Sequence, residues 1–130
     1  MVDTEGLLIT VKVVAAQHYD NQFGWEMLQM ARQKTRRLQK VWVDKGYKDG
    51  LFELLARYHY DCDVEVVSRP EGSKGWLLLP RRWVVERTFA WLGRFRRLSK
   101  EYEFLAETSE AMIYGCMISL MLRRLTIGIT

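Results

Sequence analysis

The sequence predicts an α/β fold: a mixed sheet with parallel members, flanked by helices and ending in an apolar C-terminal helix. Three observations predict it. Short runs of β-branched residues alternate with segments of helical period. The chain has 130 residues, enough to bury about two-thirds of its unfolded surface. It is 48% hydrophobic and 28% charged with only two prolines, which is a packed chain and not a linker or disordered segment.

Each element has its own local reason. Residues 7–15 (LLITVKVVA) follow a Glu5-Gly6 turn signal and are rich in β-branched side chains, predicting a strand. Residues 21–38 change to helical spacing through Trp25, Leu28 and Ala31, with Asp20 or Asn21 as N-cap and basic residues in the last turns. Residues 40–44 (KVWVD) predict a buried strand ending in a carboxylate. A turn at Gly46-Tyr47 leads to a helix that opens at Asp49 or Gly50 and runs to about Tyr60. Residues 63–68 predict another strand, and Pro70, Gly72, Gly75 and Pro80 mark a loop. Residues 81–98 predict a helix with a broad apolar side of Val84, Val85, Phe89, Trp91, Leu92, Phe95 and Leu98. Arg82, Glu86, Ala90, Gly93 and Arg97 form a separate stripe on it. The last helix is predicted from Ser109, capped by Thr108 or Ser109, to Leu125; its apolar stretch is either core or an interface.

The net charge is +4, but its distribution is uneven. Residues 32–48 carry +6, residues 81–100 carry +6, and the remainder carries −8. Each basic block contains a single carboxylate, Asp44 in the first and Glu86 in the second. Asp44 has two readings. It ends a strand, where open α/β sheets place ligands, or it caps the Gly46 turn. Glu86 has two as well: a functional acid, or an Arg82–Glu86 helix ion pair at i,i+4. Carboxylates set in basic fields suit metal-dependent phosphodiester chemistry. Mg²⁺ takes oxygen ligands and keeps waters, and two ions about 4 Å apart activate one oxygen and stabilise another. Lys45, Lys48, Lys74, Arg82, Arg87, Arg94, Arg96 and Arg97 are the candidates for holding a phosphate backbone.

The run RPEGSKGWLLLPRRWVVERTFAWLGRFRRLSKEYE (69–103) resembles the DDE transposases of bacterial insertion sequences, in the IS-five and IS-four-like group. VDTEGLLITVKVVAAQHYD, VWVDKGY and TSEAMIYGCMISLMLRRL resemble the same family. The resemblance implies a ribonuclease H-like fold, a two-Asp-one-Glu triad holding two Mg²⁺ ions, and cleavage and joining of transposon-end and target DNA. It implies that Asp44 is the second Asp, Glu86 the Glu, and Arg82 the Arg of a Tyr-Arg-Glu-Lys signature. The signature's Tyr position is Leu79 here and its Lys position is Gly93, so Arg94 or Arg97 could supply that charge. Asp3 matches a non-catalytic Asp. The first strand and first catalytic Asp of the family lie upstream of the stretch resembling VDTEGLL.

The expectation is therefore a truncated ribonuclease H-like fold. Residues 1–130 would be the C-terminal portion of a DDE catalytic domain, inactive alone. A sheet lacking its first strand would leave an unpaired edge. The alternative is a non-catalytic truncated transposase that occupies DNA or pairs with the full-length enzyme and inhibits it, or a decayed gene product; the full-length transposase or a homo-oligomer is the expected protein partner. Cys62 and Cys116 are isolated and read as reduced, buried thiols, consistent with a bacterial cytoplasmic, nucleoid-associated protein without a membrane partner. His18, His59, Trp83 and Trp91 carry bland readings, as loop, helix-end and core residues. Trp76 is placed to touch DNA.

Overall fold

Alternation in Lys40–Val43 and Asp63–Val66 produces two strands, β1 and β2, which pair in parallel with Val41 opposite Val64 and Trp42 opposite Glu65. Val41 and Val64 are buried on one face, while Lys40, Trp42 and Glu65 lie on the other. The computed structural model describes residues 1–18, 23–47, 50–75, 81–101 and 103–128. These described residues form four α-helices and this small parallel sheet, a mixed α/β arrangement as predicted. The chain divides into two compact units: Ala16–Trp83, and Met1–Ala15 together with Val84–Thr130.

In the Ala16–Trp83 unit, α1 (Gly24–Lys34) buries Gly24, Leu28 and Ala31 at helical spacing. Gly24 is required by close approach: a Cβ there would sit 2.5 Å from Cε1 of Tyr47. α1 ends four residues before the predicted boundary. Thr35 is extended, and Arg32 turns its guanidinium onto the carbonyls of Arg36 and Leu38 at 2.6 and 2.9 Å. The expected caps Asp20 and Asn21 lie outside the described residues. α2 (Leu51–Tyr60) joins the two strands, buries Phe52 and Ala56, and packs on α1 and β2. It opens at Gly50, in agreement with the sequence reading, and Asp61 in a left-handed conformation stops it. β1 and β2 end at Val43 and Val66, slightly inside the predicted spans.

The other unit corrects four expectations. Residues 7–15 form no strand ladder; Val2 and Leu8 make a lone antiparallel bridge. Side chains of a helix take the place of a neighbouring strand. Tyr114 Oη accepts the Val11 N–H at 3.1 Å and Glu110 Oε1 accepts the Val13 N–H at 2.8 Å. Both acceptors lie on α4 (Ala106–Ile127), one turn apart. α4 starts three residues earlier than predicted, with Leu105 as its cap. α3 (Arg82–Leu92) stops well before residue 98: Gly93, a poor helix former, caps it through a bond to Phe89 O. A 3-10 turn at Arg96–Leu98 then brings Phe95 and Leu98 against the core of Leu92, Cys116 and Met117. The apolar side of α3 is also narrower than its pattern. Val84, Thr88 and Leu92 are buried, whereas Val85 and Phe89 are exposed.

The N-terminal turn is tied to α3. Thr88 Oγ1 donates to Gly6 O at 2.6 Å. Gly6 has φ +82° and lies so close that an added Cβ would meet Thr88 Oγ1 at 3.0 Å, so only glycine fits. No helix among the described residues is long and apolar enough to cross a membrane.

Candidate active site

Asp44 is the first residue beyond β1, at the carboxyl end of a parallel strand. Its exposed side chain caps the following turn: Gly46 N–H donates to Oδ1 at 3.0 Å, and Tyr47 N–H to the Asp44 carbonyl at 3.2 Å. This is the turn-capping role that the sequence left open. It is compatible with a second role, because Oδ2 makes no hydrogen bond with the described residues. Lys45 is exposed beside it; Lys48 lies outside the described residues.

The strand that presents Asp44 is anchored by a side-chain cluster on its polar face. Lys40 Nζ lies 5.3 Å, and Arg81 Cζ 4.8 Å, from the Trp42 ring centroid. Glu65 accepts Lys40 Nζ at 2.7 Å. That hydrogen bond, then the lysine charge, holds the Glu65 carboxyl below its ordinary value. Arg81 belongs to the basic block, but no spacing rule singles it out. It adopts a left-handed φ of 67° just before α3, and only tertiary structure brings it over Trp42.

In the other unit, Glu86 is exposed on α3, as is Ala90 one turn on. Arg82, four residues before Glu86 on the same helix, is exposed too. Arg87 behaves differently from its neighbours. Its Nη2 donates to Glu5 O at 2.7 Å and its guanidinium stacks over Trp91 at 4.7 Å, so it ties the N-terminal turn to α3. Arg124 lies over the same ring at 4.3 Å. Trp91 is thus half-buried between guanidinium groups, and Trp83 is exposed. Arg94 and Arg96 are exposed after the helix, and Arg97 Nε pairs with Glu103 at 2.8 Å. Lys74 is exposed in the loop before α3; Trp76 and Leu79 lie outside the described residues. Asp3 is occupied by its own turn, accepting the N–H groups of Glu5 and Leu7 at 2.9 Å each.

The family model described as a transposase DDE domain matches residues 1–122. The chain belongs to the DDE transposase domain family. A putative transposase for the insertion sequence element IS402 of Burkholderia cepacia is 38% identical over 80 residues. That alignment covers 60% of this chain and 36% of the relative, so the chain spans about a third of the relative's length. No solved structure matches the chain significantly.

DDE transposase domains are generally divalent-metal dependent. The donor chemistry fits such an ion. Asp44 and Glu86 are exposed carboxylates, the hard oxygen donors that such cations take, and Oδ2 of Asp44 is bonded by none of the described residues. Among the described residues no group of three or more His, Cys, Asp or Glu could hold a metal.

Proposed function

We propose that residues 1–130 belong to a ribonuclease H-like catalytic domain of an insertion-sequence transposase, acting on transposon-end and target DNA with Mg²⁺. The observation that carries this reading is Asp44. It is an exposed carboxylate with one oxygen that no described residue bonds, at the carboxyl end of a parallel strand and inside a +6 block, in a chain matched by the DDE family model over residues 1–122.

By the family's pattern Asp44 and Glu86 are each candidate metal ligands; a bound metal would supply Lewis-acid stabilisation of charge at the scissile phosphate. Lys45, Lys48, Lys74, Arg82, Arg94, Arg96 and Arg97 would hold the DNA backbone without reading its sequence. Arg87 supports the site indirectly, by fixing the N-terminal turn to the helix that bears Glu86. Such chemistry belongs in the bacterial cytoplasm, at the nucleoid.

A gel shift and an end-cleavage assay, both on insertion-sequence-end DNA, test the proposal. The chain is expected to bind DNA with a steep salt slope, flattened by joint Ala substitution of Arg94, Arg96 and Arg97. Absence of binding at low salt would refute the DNA role. Mg²⁺- or Mn²⁺-dependent cleavage abolished by Asp44→Ala would uphold Asp44, and cleavage unchanged by Asp44→Ala would refute its role.

A further inference from the structure

α4 is apolar on two sides, and its own unit uses only one. Ser109, Cys116 and Met117 are buried, and Ile113 and Leu120 pack on the core. The other side carries Ala111, Gly115, Ile118, Leu122 and Leu125 at steps of four, three, four and three, and all five are exposed. Ile118, Leu122 and Leu125 leave 56%, 56% and 65% of their surfaces open. A helix that is apolar all round is normally covered all round. A four-three repeat is the seam along which two helices pack.

The seam is graded along its length. Its N-terminal half is small, with Ala111 and Gly115; its C-terminal half is large, with Leu122 and Leu125. Charge is graded the same way, with Glu107 exposed in the first turn and Arg123 exposed near the end.

We propose that this face pairs with a second copy of the chain, α4 against α4 and antiparallel, about a twofold axis at Ile118. Leu125 of one copy then meets Ala111 of the other, and Leu122 meets Gly115, so large residues fill the places that small ones leave. The acidic end of each helix lies towards the basic end of its partner, and the helix dipoles oppose. A parallel pair would set Gly115 against Gly115, leaving a void, and would bring like charges together. The contact is isologous and closes as a dimer. One helix pair is a small interface, so association depends on concentration.

Sedimentation of the full chain over a concentration series reads the monomer–dimer equilibrium. Ile118→Lys places two ammonium groups face to face on the axis and is expected to yield monomer with unchanged helical circular dichroism. Orientation is read by cross-linking. Under mild oxidation, the Ala111→Cys/Leu125→Cys double variant is expected to form disulfide-linked dimers, and Leu125→Cys alone is not. Positions 111 and 125 are about 21 Å apart along one helix, so the bond must join two copies. The native Cys62 and Cys116 are buried and give little background. A chain that stays monomeric at every concentration overturns the proposal. So does a dimer indifferent to Ile118→Lys, or one in which Leu125→Cys cross-links to itself as readily as the double variant. If Ile118→Lys loses its helical signal, the cross-linking pair alone decides.

Discussion

The bond between Thr88 and Gly6 joins two segments 82 residues apart, and its removal has a calculable effect. Thr88 is 3% exposed, and its hydroxyl donates to Gly6 O at 2.6 Å and also lies 3.0 Å from Val84 O. Thr88→Val keeps shape and β-branching and deletes the hydroxyl. Val84 O retains its ordinary helical N–H partner, so only the buried Gly6 carbonyl is stranded. Leaving a buried acceptor unsatisfied costs about 1–3 kcal/mol. Thr88→Ser is the control: it keeps the donor and removes one methyl, for about 0.8 kcal/mol. Helix propensities of Thr, Val and Ser are close enough not to decide the outcome. At about 3–6 °C per kcal/mol for a chain of this size, the valine variant is expected to lose about 5–10 °C in Tm and the serine variant roughly half of that. Thermal and urea unfolding followed by circular dichroism measure both. A valine variant as stable as the parent, or more stable than the serine variant, would refute the assignment of this bond as the tie between the N-terminal turn and α3.

Two further expectations concern the packing of each unit. Gly24→Ala puts a methyl 2.5 Å from the Tyr47 ring and 3.4 Å from that of Phe52, and should cost about 1–3 kcal/mol of urea stability. A Tyr47→Ala background that fails to relieve that loss would show that the ring is not the obstacle. Burial pushes the Cys62 and Cys116 thiols above their ordinary value of 9.0, against a smaller opposing pull of Arg32 on Cys62. A raised thiol pKa adds stability that is complete below 9.0 and is lost as pH climbs through the folded-state value. Both cysteines should therefore resist alkylation at pH 8 when native and react when denatured, and stability should fall above about pH 9. Rapid alkylation of native protein, or stability that is flat across that range, would contradict this.

How much was legible beforehand differs from element to element. β1, α2 and β2 followed their local patterns closely, because the strands pack one face and the helix one stripe within their own unit. Asp44 was legible as a strand-ending carboxylate in a basic field, and its capping of Gly46 was one of the two readings that its position allowed. Residues 7–15 have the composition of a strand but no pairing partner among the described residues beyond the Val2–Leu8 bridge, so Tyr114 and Glu110 satisfy alternate N–H groups instead. The stripe on α3 predicted Val85 and Phe89 inside and gave Thr88 no special place. The tight approach of Gly6 reversed that, by selecting the face that carries a hydroxyl.

The sequence by itself determined the alternation of helices and strands from α1 to α3, the family, the two basic blocks and the carboxylate in each. All of these rest on residue type and spacing, which are local. Tertiary structure alone decided that Arg87 turns inward to Glu5 and Trp91, that Arg81 reaches Trp42, and which side of α4 its own core uses. Periodicity can show that a helix has an apolar face. Only contacts distant in sequence decide whether that face is covered, and on α4 they cover one side and leave Ile118, Leu122 and Leu125 open.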